Sequence, residues 1–279
     1  MVYDMSLIFS KINSGTAKFL SAKTALVTGA TSGIGREIAK QLVSFGSNVL
    51  VCGRDKEAMD SLLKELNSIS SSLAKGFLVD FSNKESLEGL IAKVSKDYDV
   101  DILINSAGFG YMGDFYLMPK EKAYSMQEVN ISAVVVLCRS FLPRMVEKSW
   151  GGILNVGSVA SFFATPGSAL YGATKHFIVG FTDALHQEML HLGVHVTGLY
   201  PGHTESSFAE RATEGKLKRW KKAMSAELVA VLALKGLSEN KIKVVPGFGN
   251  KMRVFAAAIL PASIVSRKIY SKAIRNYKT

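Results

Sequence analysis

Cysteine is nearly absent: the chain has two, Cys52 and Cys138, among 279 residues. Two thiols can build neither a disulfide framework nor a structural zinc site, so a reducing compartment is the simplest reading. Proline is equally sparse, with six residues, which together with 24 glycines excludes collagen-like and linker-dominated chains. Long hydrophobic runs are missing too. The longest nearly apolar stretch, residues 254–265, falls short of the roughly 20 residues of a membrane span and is interrupted by Pro261. The first fifteen residues, MVYDMSLIFSKINSG, carry Asp4 and no extended apolar core, which makes a poor signal peptide, and a cytoplasmic location is expected. With 48% apolar and 20% charged residues the chain lies outside the disordered and low-complexity classes.

Acid is lacking at one end. Residues 251–279 hold Lys251, Arg253, Arg267, Lys268, Lys272, Arg275 and Lys278 and no Asp or Glu, so this tail supplies seven of the +11 net charges. A second basic cluster comprises Arg211, Lys216, Lys218, Arg219, Lys221 and Lys222. The remainder is close to balanced, which argues against a nucleic-acid-binding body.

What is present is a rhythm of short apolar runs and helical patterns. TALVTG (24–29), NVLVCG (48–53), FLVD (77–80), DILINS (101–106), GILNVGS (152–158), VHVTGLY (194–200) and KIKVVPG (241–247) read as strands buried on both faces, with helical stretches such as 35–45 and 55–68 between them. Such alternation predicts right-handed βαβ units and a Rossmann-type, doubly wound parallel sheet of about seven strands with helices on both faces. The expected organisation is an N-terminal extension (1–22), a doubly wound α/β domain (23–249) with a substrate loop at about 203–225, and a basic helical tail (250–279).

The first strand runs into Gly29-Ala30-Thr31-Ser32-Gly33-Ile34-Gly35 and then a helix. A glycine turn ahead of a helix N-terminus lets backbone N–H groups approach a pyrophosphate, and this context points to dinucleotide binding. An NAD site usually carries an acid at the end of the second strand; here stand Cys52-Gly53-Arg54, then Asp55, which could equally cap the next helix. Arg54 can grip a 2′-phosphate through its planar fork, so NADP(H) is favoured over NAD(H), although a solvated loop arginine would look the same. Asp80 could accept from an adenine amino group or cap the helix that begins near Asn83.

Ser158 closes a strand, and Tyr171 and Lys175 follow at i, i+4, on one face of a helix start. In this order after a glycine loop, the chain resembles the short-chain dehydrogenase/reductase family over roughly residues 23–247. The resemblance rests on the glycine loop at 28–35, on Asn105-Ser106-Ala107-Gly108, on Asn130, on Ser158, Tyr171 and Lys175, and on Pro201-Gly202, with Ser206 where the family usually has Thr. It implies catalytic roles for Ser158, Tyr171, Lys175 and Asn130. It implies cofactor contacts from Gly29, Thr31, Ser32, Gly33, Ile34, Gly35, Arg54, Asp80, Phe81, Asn105, Ala107, Gly108, Tyr171, Lys175, Pro201, Gly202, Thr204 and Ser206, and no metal. It also implies a homodimer or homotetramer paired through the helical regions 119–148 and 171–192.

The chemistry follows from the residue types. Ketone reduction needs a hydride on carbon and a proton on oxygen, and Tyr171 would carry the proton. Its pKa would have to fall from about 10 toward neutrality, with the Lys175 ammonium and an oxidised nicotinamide supplying the shift. Ser158 would hold the substrate oxygen, Lys175 the nicotinamide ribose, and Asn130 a water leading to solvent, as the family implies.

Phe109, Tyr111, Met112, Phe162, Phe163 and Phe208 suggest a bulky apolar substrate, in keeping with a carbonyl reductase similar to hydroxysteroid-type or 3-oxoacyl-type enzymes. Two rival readings remain: a dehydrogenase of a small hydroxy or amino acid, whose carboxylate Arg211 or Lys216 would grip, and a non-catalytic dinucleotide sensor. His203 could touch substrate, while His186, His191 and His195 read as surface or interface residues. The tail is expected to bury Phe255, Ile259, Leu260 and Ile264 on its own protein with its lysines in solvent, and weak membrane-surface contact is the minority alternative.

Overall fold

The computed structural model describes residues 12–217, 220 and 222–277. Residues 1–11 of the extension, Lys218, Arg219 and Lys221 of the loop, and Lys278 of the tail lie outside the described residues. Seven parallel strands form one sheet: β1 (Thr24–Thr28), β2 (Asn48–Gly53), β3 (Ala74–Leu78), β4 (Ile102–Asn105), β5 (Gly151–Val156), β6 (Val194–Leu199) and β7 (Lys243–Val244). They lie in the order β3-β2-β1-β4-β5-β6-β7. The helices are α1 (Ser14–Leu20), α2 (Gly33–Ser44), α3 (Lys56–Ile69), α4 (Lys84–Asp97), α5 (Lys120–Gln127), α6 (Ala133–Glu147), α7 (Ala169–Met189), α8 (Phe208–Ala212), α9 (Ala226–Ser238), α10 (Phe248–Ile259) and α11 (Ala262–Tyr277).

The side-chain period of two along each strand divides the core into two layers. Ala25, Val27, Val49, Val51, Ile102 and Ile104 face Ile38 and Leu42 of α2, Leu62 and Leu66 of α3, and Val229 and Leu234 of α9. Leu26, Leu50, Leu103, Ile153 and Val196 face Leu87 and Leu90 of α4, Leu137 and Phe141 of α6, and Ile178 and Leu185 of α7. The strands are apolar on both faces because both faces are covered, which is the doubly wound arrangement expected from the sequence.

The strand boundaries shift at the two edges. β3 begins at Ala74 and ends at Leu78, so Asp80 lies beyond it. Only two residues of the 241–247 run enter β7, where Lys243 and Val244 pair with Gly198 and Leu199. Pro246, which lacks an N–H, follows at once and cannot extend the ladder. His186 is buried, with Nδ1 2.6 Å from the Val196 carbonyl, rather than lying at the surface. His195 is likewise internal in role: Nδ1 meets the Leu237 carbonyl at 2.9 Å, and Phe19 of α1 stacks on the ring. Both cysteines are free and buried, and burial pushes the Cys138 thiol up to about 12, far from the range of a reactive thiolate.

The tail departs most from expectation. α10 packs beside the turn at Val159–Phe162, but Phe255, Ile259, Leu260 and Ile264 are exposed rather than buried. Only the narrow side of α10 that carries Ala256 and Ala257 turns inward, toward the pocket described below.

The order of strands reverses between β1 and β4, where consecutive connections leave in opposite directions and the carboxyl ends of the strands part. One buried hydroxyl joins the two sides. Thr28 Oγ1 donates to the Ile104 carbonyl at 3.3 Å and accepts from the Ser106 and Ala107 N–H groups, each at 3.0 Å. Thr28→Val keeps the shape and removes the acceptor of the Ala107 N–H, while the Ser106 N–H keeps only its 3.2 Å contact to the Ile104 carbonyl. A loss of about 1–3 kcal/mol is expected, seen as a lower urea midpoint at unchanged m value.

Candidate active site

The carboxyl ends of β1, β2, β4, β5 and β6 open into a cavity of about 850 Å³. Beside the ends of β1, β2 and β4 its lining includes Gly29, Gly33, Gly53 and Gly108. Gly29 has φ +63° and Gly33 φ +56°, conformations that favour glycine, and a Cβ on Gly29 would stand 2.7 Å from Ala107 Cα. α2 starts beside this turn with Ser32 as its N-cap residue, yet Ser32 makes no side-chain cap bond, so the first-turn N–H groups keep their capacity for an anion.

Ser158, Tyr171 and Lys175 converge on the floor of the cavity. Ser158 sits just past β5 and is held by a reciprocal cap: its Oγ accepts from Ala160 N–H at 3.1 Å and its own N–H donates to Ser161 Oγ at 3.1 Å. Its hydroxyl also hydrogen-bonds the Tyr171 side chain. Tyr171 and Lys175 lie one turn apart near the start of α7, and Phe208 tilts against the Tyr171 ring with centroids 5.5 Å apart. Lys175 Nζ donates to the Val156 carbonyl at 2.8 Å and lies 5.9 Å from the centre of the Tyr171 ring.

Burial dominates the electrostatics of the pair. Burial pushes Tyr171 up to about 12, with the Ser158 hydrogen bond pulling the other way. Burial brings Lys175 down to about 8. The ammonium is itself desolvated and bonded to a carbonyl, so burial works against the ionised forms of both groups. Desolvation favours the neutral phenol at Tyr171.

Asn130 stands behind the floor rather than in the cavity. A π-turn, Glu128–Ser132, interrupts the long helix from Lys120 to Glu147 and turns Asn130 inward. Its Oδ1 accepts from Phe109 N–H at 3.1 Å, and its Nδ2 donates to the Phe109 carbonyl and to Thr174 Oγ1, each at 3.0 Å. It lies across Gly108 from Lys175.

Most of the residues expected at the cofactor line the cavity: Gly29, Thr31, Ser32, Gly33 and Ile34 at the glycine turn, Arg54, Asp80 and Phe81 beside it, and Ala107, Gly108, Pro201, Gly202, Thr204 and Ser206 across from it. Asn105 and Gly35 do not. Asn105 is buried between strands, donating to Asn155 Oδ1 at 2.9 Å, and Gly35 lets α2 pack onto the Gly29 carbonyl. Asp80 accepts from Ser82 N–H and Oγ at 2.9 and 2.7 Å, Asn83 caps α4 and Asp55 caps α3. Asp80 also pairs with Arg54 at 3.9 Å in an exposed contact.

On the outer side, Phe109, Met112, Phe163 and Phe208 line the cavity, but Tyr111 and Phe162 do not; Phe162 packs edge-on against Tyr200 instead. The loop 203–225 is closed on itself by Met224 N–H to the His203 carbonyl and Glu205 N–H to the Met224 carbonyl, each 2.9 Å. Within it, Trp220 stacks on His203 with centroids 4.1 Å apart.

Two site residues were not legible as such in the sequence. Arg211, read there as a possible carboxylate grip, reaches back to the glycine turn and donates to Ser32 Oγ at 3.3 Å. Arg253 of α10 lines the cavity although it lies far along the chain. Neither has a local sequence signal; both arrive through long-range packing. Lys216 does not line the cavity.

A profile of the short chain dehydrogenase family matches residues 23–217. An uncharacterized oxidoreductase of Staphylococcus saprophyticus is 30% identical over 230 residues, covering 81% of this chain and 98% of the relative. Among solved structures, a short-chain dehydrogenase from Sphingobium yanoikuyae in complex with NADPH has a TM-score of 0.77 at 27% identity, covering 85% of this chain and 93% of that one. The bulky-bulky ketone specific alcohol dehydrogenase from Comamonas testosteroni has a TM-score of 0.74 at 25% identity, covering 86% of this chain and 96% of that one. The chain therefore belongs to the short-chain dehydrogenase/reductase family, oxidoreductases acting between CH–OH and C=O with a nicotinamide dinucleotide. The glycine cradle, which a Cβ would fill, and the uncapped start of α2 fit such a group.

Lys175 makes a pH test possible. Its pKa is about 8 in the folded protein against the ordinary 10.5. Between these values the unfolded chain binds a proton that the folded one does not, so this residue's contribution to stability rises with pH across the window. Urea midpoints of the wild type relative to Lys175→Met are expected to increase on crossing it. A flat difference would place Lys175 at its ordinary value.

Proposed function

We propose that the protein is an NADP(H)-dependent carbonyl reductase and alcohol dehydrogenase acting on a bulky, apolar ketone or secondary alcohol, with Tyr171 as the proton donor and acceptor. The observation that carries this reading is the convergence of Ser158, Tyr171 and Lys175 between a glycine-lined half and an aromatic half of one cavity. When bound, the nicotinamide gives or takes the hydride and, in its oxidised form, adds a positive charge beside the phenol.

The chain's own groups manage the oxygen. Ser158, fixed by the Ser161 cap, holds the substrate oxygen next to Tyr171. A protonated Tyr171 gives its proton to that oxygen as the carbon is reduced, and the developing charge is met by the Ser158 hydroxyl. Lys175, near pKa 8, can hold or release a proton close to working pH and return one to the tyrosinate. Asn130 is a positioning residue: it ties the backbone of Phe109 to Thr174, whose hydroxyl donates to the Tyr171 carbonyl at 2.8 Å.

Arg54 and Arg211 support NADP(H). Both line the cavity by the glycine turn, and an anion between two guanidinium groups relieves their mutual repulsion. The Sphingobium relative is described in complex with NADPH. The aromatic half and the bulky ketone substrate of the Comamonas relative favour a large apolar substrate. With Arg211 on the cofactor side and Lys216 away from the cavity, the small-acid reading loses its carboxylate grip. Exposed Tyr124 and Phe177, on α5 and α7, are the surface through which a homodimer or homotetramer would form.

Two outcomes test the reading. Tyr171→Phe should lower turnover of bulky ketones at least about 100-fold while leaving NADPH binding nearly unchanged. A sensor without turnover would show no rate to lose. Arg54→Ala should raise the KM for NADPH roughly 10- to 100-fold, the loss of a charge-assisted hydrogen bond, and spare NADH. A wild-type preference for NADH would overturn the NADP assignment.

A further inference from the structure

The tail is two-faced. Along α10, Phe248, Met252, Phe255 and Ile259 recur at helical spacing and form one outward stripe, with Phe248 79%, Phe255 60% and Ile259 63% exposed. Leu260 and Ile264, at the break made by Pro261, continue it and are also exposed. The other side of the helix is docked: Asn250 Nδ2 donates to the Pro246 carbonyl at 2.7 Å and its side chain packs against Gly202. Ala256 and Ala257 line the cavity, as do Leu260, Ile264, Val265 and Ile269 at its outer end. The helices that carry the bare apolar surface are therefore also a wall of the site. Lone exposed apolar residues are ordinary, but a contiguous stripe of this kind marks a contact surface.

Charge decides what it contacts. The segment 251–279 carries seven Lys or Arg and no acid, and Lys251 and Arg267 are exposed beside the stripe. A second copy pairing its stripe with this one about a two-fold axis would bring together two segments that each carry basic residues and no acid. An anionic lipid surface accepts the apolar residues among its acyl chains and the cations among its headgroups at the same time.

We infer that the tail helices rest on an anionic membrane surface, with Phe248, Met252, Phe255 and Ile259 inserted, so that the outer end of the cavity takes an apolar ketone or alcohol from the lipid. The substrate part of this inference rests on the proposed carbonyl reductase activity; the membrane part does not.

The test is co-sedimentation of the full-length protein with vesicles of phosphatidylcholine alone or mixed with phosphatidylserine, at low and high salt. Binding to the anionic vesicles should exceed binding to the neutral ones at least about tenfold and should weaken with salt. The double variant Phe255→Glu and Ile259→Glu should lose that binding while keeping its Tm and its rate on a short, water-soluble ketone, because neither side chain lines the cavity. Its rate on a long-chain ketone delivered in anionic vesicles should fall. Tyr171→Phe should bind vesicles as the wild type does, which separates failure of the membrane proposal from failure of the catalytic one. Absence of binding at low salt, or binding untouched by the double variant, overturns the proposal. A dimer that dissociates in the double variant would assign the stripe to a second copy and overturn it equally.

Discussion

The hydroxyl of Thr28 stands at the point on which the site depends. A parallel sheet that reverses its winding leaves a crevice between two strand ends, and the backbone there loses its ladder partners. Thr28 satisfies the Ile104 carbonyl and the Ser106 and Ala107 N–H groups with one side chain. That bond holds the loop after β4 against the glycine turn after β1. Ala107 is then so near Gly29 that no side chain fits there. The cradle for a dinucleotide is a consequence of closing this junction.

Behind the crevice lies a second set of buried polar contacts. Asn105 donates to Asn155, Asn155 donates to Thr182, and Asn130 spans from Phe109 to Thr174. Buried amides are stable only when paired, and their pairing leaves little freedom to the elements that carry them. α7 is fixed at Thr174 and Thr182, and so are Tyr171 and Lys175 between and beside these points. Tyr171 and Lys175 are thus positioned by groups that do not line the cavity.

The same desolvation that gives the site its electrostatic strength works against the ionised forms of both groups. It raises Tyr171 and lowers Lys175, so the resting pair favours the neutral phenol. The outer half of the cavity is bounded by the loop 203–225 and the tail helices, both basic and both remote in sequence from the floor. The outer lining of the cavity is therefore shared among segments that the sheet alone does not order.

The strand–helix alternation, the glycine turn and the order of Ser158, Tyr171 and Lys175 were legible in the sequence, because each depends on local pattern: short continuous apolar runs for strands buried on both faces, i, i+4 on a helix, glycine where φ is positive. The sequence also showed Pro261 interrupting the apolar stretch of the tail and offered Asp55 as one of two readings, a cap for the next helix, which the structure bears out. Tertiary structure alone decided that Asn105 is a buried strut and not a cavity residue, that Arg211 returns to Ser32, and that His186 is internal. These outcomes depend on which distant surface a side chain meets, and no local pattern records that. The tail shows the division most plainly. Its apolar and basic composition was legible, but whether Phe255 and Ile259 turned inward or outward depended on the packing of one narrow alanine face against the cavity wall.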